Sequence, residues 1–404
     1  MRLSISPRRA AMVAVVAALL GLVFSAYSTY DYAEQLDRQV HAVHCSFIPG
    51  APVSDDADNP CKAALFSPYS ALFRATYWGG IPISLFGLGA FAFFTGFAAY
   101  LARGEKKLPP HAWWTFVALT LGPLATSVVM FTISVSHLHA LCKLCVGVYV
   151  SSITMAVMAV AGLRSQSARD AGPRGNLWLL PVASFLALGS FALAPPLLYV
   201  ALLPDYRPLL EKCGKLAVAT EAHHSLLSIK TAHPVRPVLL FEDPLCPTCR
   251  AFHERLVDEG VFERLDVTMA MFPLDSECNW MLDRSLHPGA CILAKAVLCG
   301  GNDKARGVLE WAYDNQDALR ELGKQGGGAL QKKITERWGH ELAACVSSKQ
   351  VDTQLNQELH FAANNHIPVS TPQMFLGDQR LCDEDTDLGL RYTLAQLAPE
   401  VLHD

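Results

Sequence analysis

The chain has 404 residues, which is more than one typical domain, and two domains are expected. Hydrophobic residues make up 51% and charged residues 17%, with a mean hydropathy of +0.23, a balance typical of membrane proteins. The net charge of −4 argues against a nucleic-acid-binding protein, which normally carries a basic face.

Five apolar stretches are each long enough, at about 20 residues, to cross the hydrocarbon core of a bilayer. They lie at roughly 10–28, 81–102, 113–136, 142–163 and 177–203. Basic residues before the first stretch, after the second and between the fourth and fifth mark those regions as cytoplasmic by the positive-inside rule. The N-terminus is therefore expected inside and the C-terminal half outside. Because no A-x-A cleavage site follows the first stretch, we expect a retained anchor rather than a cleaved signal.

The second half of the chain looks like an ordinary soluble domain. Residues 204–234 predict a linker between a membrane domain at 1–203 and a C-terminal domain at 235–404. PVLLFEDPL predicts a buried strand, and CPTCRAFHERLVDEG predicts a helix that opens on a Cys-x-x-Cys motif. A helical region follows, interrupted by a turn at GKQGGG. HIPVSTPQMFLGDQRL then predicts a turn, a strand and a hairpin, and TLAQLAPEVL a closing helix.

Twelve cysteines are many for a chain of this length and indicate an oxidising compartment or thiol chemistry. In the predicted topology all twelve cysteines lie outside the cytoplasm or at the outer surface of the membrane. Six of the twelve fall outside the two Cys-x-x-Cys motifs and the pair Cys45 and Cys61 in the loop after the first span. We expect structural disulfides among these six, including a local bridge between Cys278 and Cys291. These six are Cys213, Cys278, Cys291, Cys299, Cys345 and Cys382.

The Cys-x-x-Cys motif at 246–249 follows a strand and opens a helix. A helix N-terminus lowers the pKa of a thiol through its dipole and free N–H groups, and the thiolate is the reactive form. This pattern predicts a redox pair in which Cys246 is the exposed nucleophile and Cys249 closes the disulfide. Zinc binding is the alternative, but no second well-spaced ligand pair accompanies the motif.

The second motif, Cys142 and Cys145, opens the fourth apolar stretch. The two thiols are three residues apart on one helix face, and Tyr149 lies four residues further on the same face. His137 and His139 precede them in HLHALCKLC, a spacing that also suits zinc. Interfacial loop residues are the alternative role for these histidines, and no bound metal is expected.

FEDPLCPTCRAF resembles the active site of the thioredoxin fold. STPQMFLG is similar to the cis-proline loop of that fold, which implies that Thr371 and Pro372 face the disulfide. The long gap between the two motifs resembles DsbA-type members, which carry a helical insertion there. The expected fold is a membrane bundle of five transmembrane helices followed by an α/β thioredoxin-like domain with a helical insertion.

The membrane half resembles the vitamin K epoxide reductase (VKOR) family, specifically its bacterial fusions with a thioredoxin-like domain. Two loop cysteines, the second followed by KAALFSPYSALF, then GGIPISLFG and a Cys-x-x-Cys motif at the fourth span, carry the resemblance. Four of the five spans then form the VKOR-like core. The resemblance implies a shuttle pair, a catalytic pair beside a quinone, and two residues that support the quinone site. These are Cys45 and Cys61, Cys142 and Cys145, and Ser67 and Tyr149, respectively.

Two features depart from that family. Fifteen residues separate the loop cysteines, including the acidic insert SDDADNP, and the span at 81–102 contains no asparagine. The second departure favours quinone reduction over epoxide reduction. Ser67 and Tyr149 also have simpler interpretations, as a helix cap and as a packing residue.

The expected protein is therefore a thiol:quinone oxidoreductase that generates disulfides in exported proteins. Electrons would pass from the Cys246 pair to the Cys45 pair, then to the Cys142 pair and to ubiquinone or menaquinone. We expect a monomer in the bacterial inner membrane, with its thioredoxin-like domain in the periplasm. The alternatives are a vitamin K epoxide or quinone reductase that uses the thioredoxin-like domain only as its reductant, and a non-enzymatic membrane redox sensor.

Overall fold

The computed structural model describes residues 5–39, 41–48, 60–103, 108–109, 111–138, 140–166 and 178–402. The chain divides into two compact units, Met1–Pro204 and Asp205–Asp404. His139, residues 54–59 of the acidic insert, and part of the basic residues used to predict orientation lie outside the described residues. Those basic residues are Arg2, Lys106, Lys107, Arg169 and Arg174.

The first unit is helical. Its helices are α1 (Pro7–Glu34), α2 (Pro60–Phe66), α3 (Ile83–Arg103), α4 (Ala112–Ser136), α5 (Lys143–Gln166) and α6 (Leu179–Leu202). A short antiparallel pair, β1 (Ala71–Leu72) and β2 (Ile81–Pro82), precedes α3. All the helices except α2 are long and apolar enough to cross a membrane, which confirms the five predicted spans. The chain is a multi-pass membrane protein.

Helix α1 is the centre of this bundle and packs against α3 and α5. Its buried face consists mainly of small residues, among them Ala10, Ala14 and Ala18, which let neighbouring helices approach closely. At Gly21 a Cβ atom would lie 2.3 Å from the ring of Phe91 on α3, so this crossing requires glycine. Small side chains therefore set the spacing of the helices, because nearly every helix face in this bundle is apolar and apolarity alone does not select a contact surface.

The second unit contains a five-stranded sheet of order β3-β5-β4-β6-β7. The strands are β3 (Leu227–Ile229), β4 (Arg236–Glu242), β5 (Leu265–Met271), β6 (Gln373–Leu376) and β7 (Gln379–Arg380). Strands β4 and β5 are parallel, and the other pairs are antiparallel. The helices are α7 (Pro247–Asp258), α8 (Ala290–Asp314), α9 (Gln316–Lys324), α10 (Gly327–Trp338), α11 (His340–Val346), α12 (Lys349–Asn364) and α13 (Leu390–Leu397).

The helices α8 to α12 lie between β5 and the closing hairpin, which gives a thioredoxin-like domain with a helical insertion, as predicted. Two details of the sequence interpretation were wrong. Strand β5 lies in the region predicted as helical, where Leu265, Val267 and Met269 alternate toward the core. The segment predicted as a linker is folded into this unit, because β3 pairs with β5 and Cys213 forms a disulfide with Cys382.

The disulfides of the second unit join elements that are distant along the chain as well as neighbours. The bridge between Cys213 and Cys382 spans 169 residues of sequence, and that between Cys299 and Cys345 spans 46. Cys278 and Cys291 form the local bridge, with an S–S distance of 2.06 Å. The covalent framework thus ties the start of the unit and the helical insertion to its core.

Candidate redox sites

The helical unit encloses a cavity of about 370 Å³. All six helices contribute to its lining, which is mostly apolar and includes Cys61, Cys142 and Cys145. Cys61 opens α2, and Cys142 immediately precedes α5. Because the short helix α2 places its first turn against the start of α5, cysteines 81 residues apart in sequence reach one cavity.

The four cysteines of this unit are in different redox states. Cys45 and Cys61 form a disulfide with a Cα–Cα distance of 5.7 Å, whereas Cys142 and Cys145 carry no bridge. Cys45 is partly exposed, but Cys61 and Cys142 are only 5% and 4% exposed. The backbone N–H of Cys145 donates a hydrogen bond of 3.3 Å to the Cys142 sulfur, as expected for a thiol at a helix N-terminus.

The predicted supporting residues both line the cavity. The Ser67 hydroxyl donates a hydrogen bond of 2.9 Å to the Ala64 carbonyl, so it also caps the C-terminal end of α2. The Tyr149 ring packs edge-on against Phe131 with centroids 6.0 Å apart. His137 is exposed at the end of α4, and its ring packs against Tyr69.

One polar pair on the cavity wall was missed from the sequence. Asp31 lies on α1, which the structure extends to Glu34, beyond the apolar stretch predicted at 10–28. Its carboxylate bonds to the side chain and the backbone of His44. An acidic residue in the aromatic run STYDYAE, just past an apolar span, was the available signal.

In the second unit, β4 leads directly to the Cys-x-x-Cys motif. Cys246 is the N-cap residue of α7, and Pro247 occupies the first helical turn, where its missing N–H costs nothing. The Cys246 thiol donates to the carbonyl of Thr371 at 3.4 Å, and the peptide bond between Thr371 and Pro372 is cis. The predicted exposure of Cys246 was wrong: it is 4% exposed, because this loop, 125 residues further along the chain, packs over it.

The two thiols differ in their chemistry. The hydrogen bond from the Cys249 thiol lowers the pKa of Cys246 to about 6, against the opposing effect of burial. Cys249 is fully buried, and burial raises its pKa well above the ordinary range. Cys246 is therefore a thiolate near neutral pH and Cys249 a thiol, which is the division of roles that thiol–disulfide exchange needs.

Two buried carboxylates lie beneath these thiols. The Asp243 backbone N–H donates to the Cys249 sulfur at 3.5 Å, and its carboxylate accepts from His287 Nδ1 at 2.7 Å. Burial opposes the charged form of His287, but the bond to Asp243 raises its pKa overall. Glu242 accepts a hydrogen bond of 2.6 Å from the Tyr313 hydroxyl, and burial raises the pKa of this carboxyl. Acidic residues ending a buried strand, in FEDPLC, were the overlooked signal.

The chain thus combines a thioredoxin-like domain, which holds an unbridged cysteine pair whose first member has a lowered pKa, with a membrane bundle that carries two further cysteine pairs. These features define a membrane-bound thiol–disulfide oxidoreductase. Residues 12–160 match the sequence model of the Vitamin K epoxide reductase family, and this part of the chain is a domain of that family. No curated protein matches the chain.

Solved structures similar to the chain include two of DsbA1 from Neisseria meningitidis and one of ScsC from Proteus mirabilis. The reduced DsbA1 structure shows 17% identity and a TM-score of 0.34, covering 47% of this chain and 95% of that one. The second DsbA1 structure has the same identity and TM-score, covering 49% and 96%. ScsC shows 16% identity and a TM-score of 0.28, covering 55% and 100%. The thioredoxin-like assignment rests instead on the strand order and the geometry around Cys246.

Proposed function

We propose that this protein is a quinone-dependent oxidoreductase that generates disulfides in exported proteins. One observation carries the proposal: Cys61, Cys142 and Cys145 line the same apolar cavity inside a membrane bundle. Cys61 is in turn bonded to Cys45, which is partly exposed. A path for electrons from a partly exposed sulfur to a cavity at membrane depth is what a thiol:quinone oxidoreductase needs.

The first exchange begins at the thioredoxin-like domain. After an exported dithiol has reduced its disulfide, the Cys246 thiolate attacks the sulfur of Cys45 and releases Cys61 as a thiolate. Cys249 then attacks Cys246, which restores the Cys246–Cys249 disulfide and leaves Cys45 and Cys61 as a dithiol. Two electrons and two protons have moved to the loop pair. The low pKa of Cys246 favours this attack near neutral pH.

The second exchange takes place at the cavity. The Cys61 thiolate attacks the Cys142 sulfur of an oxidised Cys142–Cys145 pair and releases Cys145. Cys45 then attacks Cys61, so that the loop disulfide re-forms and the pair at 142 and 145 holds two electrons. The structure has this distribution, with the loop pair bridged and the cavity pair unbridged.

The cavity suits a quinone. Its volume of about 370 Å³ and its mostly apolar lining fit a flat, weakly polar ring, and Tyr149 offers a hydroxyl group to a carbonyl oxygen, as Ser67 does when its hydroxyl turns away from the Ala64 carbonyl. A bound quinone supplies a two-electron acceptor that dissolves in the bilayer. The protein orients it beside Cys145 and shields the thiols from water. Either ubiquinone or menaquinone meets this description.

The proposal includes location and partners. We place the protein in a bacterial inner membrane with its N-terminus in the cytoplasm, because the basic residues flank alternate spans. The thioredoxin-like domain, residues 235–404 together with the folded segment before it, then faces the periplasm and its reduced protein substrates. A tether to the membrane domain keeps it at high effective concentration near Cys45, so a monomer suffices.

Replacement of Cys145 tests this function. We expect Cys145→Ala to bring quinone reduction by reduced protein in detergent down to the rate without protein, because the cavity pair cannot form its disulfide. In cells, alkylation and gel shift should find Cys246 and Cys249 reduced. The C278A/C291A double variant removes a disulfide outside the relay and should keep its turnover. Normal quinone turnover in Cys145→Ala would exclude the mechanism.

A further inference from the structure

A buried ionisable pair on the cavity wall has no part in the relay described above. Asp31 on α1 is 2% exposed, and its Oδ1 accepts a hydrogen bond of 2.5 Å from His44 Nδ1. Its Oδ2 accepts from the His44 backbone N–H at 2.8 Å. His44 immediately precedes Cys45, so the pair joins the central helix of the bundle to the loop that carries the shuttle disulfide.

The pair faces the cavity that holds the reacting thiols. Asp31 and His44 both line this cavity, and the His44 side chain is 19% exposed. Because Asp31 binds Nδ1 of the imidazole, Nε2 is the ring nitrogen that remains for other contacts. The rings of Tyr27 and Tyr30 pack against the imidazole with centroids 4.9 and 6.0 Å away, which fixes its plane. The other titratable groups on the cavity wall are Tyr32, Tyr69, Cys142, Cys145 and Tyr149, and Glu34 bonds to Tyr30.

The chain contains a second pair of the same chemistry that serves as a comparison. His41 bonds to Asp37 through Nε2 at 2.8 Å, but these side chains are 34% and 49% exposed, and neither is among the described residues that line the cavity. An exposed pair of this kind contributes little to stability and costs little. Burying both groups of such a pair costs desolvation free energy for each of them. The hydrogen bond from the backbone N–H of His44 to Asp31 would by itself be enough to anchor the loop. The imidazole contact is the additional feature that needs a reason.

We propose that His44 is the proton carrier for reduction of the quinone, and that Asp31 is the residue that positions its ring. This inference rests on the proposed function. When the Cys142–Cys145 disulfide forms, the two thiols lose two electrons and two protons, and the quinone gains both to become a hydroquinone. His44 donates one proton from Nε2 to a quinone oxygen and regains one from the thiol pair, and the second thiol proton passes directly to the other quinone oxygen. No proton or electron is needed from elsewhere.

Proton transfer is the step that a membrane cavity otherwise handles poorly. The lining is mostly apolar, which leaves few side chains that can exchange a proton with a bound quinone. Histidine changes its charge near neutral pH and can both donate and accept, which suits a carrier that must be reloaded in each cycle. The carboxylate on Nδ1 holds the ring in the tautomer that presents Nε2 to the cavity.

The test is His44→Asn in the full-length protein, with His41→Asn as the matched control. The asparagine amide can still donate to Asp31 from nearly the position of Nδ1, but it cannot carry a proton. With a short-chain ubiquinone analogue in detergent, we expect kcat to fall about 100-fold in H44N and KM to stay within about twofold. The pH profile of kcat should lose the limb that depends on His44. H41N should match the wild type in all three.

Two measurements separate this role from a structural one. Equilibrium dialysis should give H44N the wild-type affinity for the quinone analogue, and alkylation should find its Cys45–Cys61 disulfide formed. Asp31→Asn, which keeps the ring, should give a kcat between those of wild type and H44N. If H44N keeps the wild-type kcat and pH profile, His44 is not the carrier, although the proposed function stands. Loss of quinone binding or of the disulfide in H44N would make the role structural. A wild-type protein that cannot reduce the quinone would overturn both.

Discussion

The acidity of Cys246 depends on its partner thiol, and removing that partner tests the electrostatics of the site. The hydrogen bond from Cys249 is the largest cause of the low pKa of Cys246. We predict that Cys249→Ala raises the pKa of Cys246, whereas Cys249→Ser, which keeps a hydroxyl donor, leaves it close to the wild-type value. The comparison isolates the hydrogen bond because both variants lose the second sulfur.

The magnitude follows from the structure. The pKa of Cys246 falls from the ordinary thiol value of 9.0 to about 6. This difference of about 3 units corresponds to about 4 kcal/mol in favour of the thiolate, at 1.36 kcal/mol per unit. A hydrogen bond to a charged group contributes about 1.5–3 kcal/mol, so Cys249→Ala should raise the pKa by about 1–2 units.

The direction of electron flow is linked to the same quantity. Because the folded pKa is lowered, the thiolate stabilises the reduced folded domain fully above the unfolded pKa, and this contribution is lost as the pH falls through about 6. Above pH 9 the full effect of about 4 kcal/mol makes the Cys246–Cys249 disulfide more oxidising by about 90 mV, and at pH 7, one unit above the folded pKa, about 1.4 kcal/mol and about 30 mV of it remain. That sign suits a domain that takes electrons from exported thiols.

The assay is the rate at which iodoacetamide alkylates reduced Cys246 across a range of pH. A C142A/C145A background leaves Cys246 and Cys249 as the only unbridged cysteines among the described residues, and the raised pKa of the buried Cys249 keeps it a thiol over this range. The wild-type midpoint should lie at about pH 6 and that of Cys249→Ala at about 7–8. Equal midpoints for Cys249→Ala and Cys249→Ser, both near the wild-type value, would refute the assigned cause.

Two further predictions concern stability. Gly21→Ala places a Cβ atom 2.3 Å from the Phe91 ring and should destabilise the bundle by about 1–3 kcal/mol. In Gly96→Ala the added Cβ meets nothing within 4 Å, so this variant should be neutral or slightly stabilising. Thermal unfolding in detergent compares the two variants, and equal melting temperatures would contradict the packing account. Glu358 is fully buried, its carboxyl group accepts a hydrogen bond from the Met271 N–H, and burial raises its pKa. Relative to Glu358→Gln, the wild type should therefore lose stability as the pH rises from about 4.5 toward the raised pKa. The loss should be about 1.4 kcal/mol for each pH unit in that range. If the melting temperatures of the two proteins change in the same way from about pH 4 to 8, that burial effect is contradicted.

The sequence by itself determined the features that depend on local composition. All five spans were identified because the thickness of a bilayer sets the length of an apolar helix; four were correct to within a few residues, and the first helix runs beyond the predicted 10–28 to Glu34. The strand before CPTC and the helix after it followed from patterns of a few residues. The fold class followed from these segments and from two family resemblances, each carried by short motifs.

Only the tertiary structure decided what distant segments do together. Strand β3 has three residues and is stable only through β5, so its segment was predicted as a linker. Cys246 is buried because a loop 125 residues away covers it. Asp31 bonds to His44, 13 residues further along the chain, and Cys61 lines the same cavity as Cys142 and Cys145. Contacts between segments far apart in sequence leave no local pattern, and here they set the burial and charge on which the chemistry of the thiols depends.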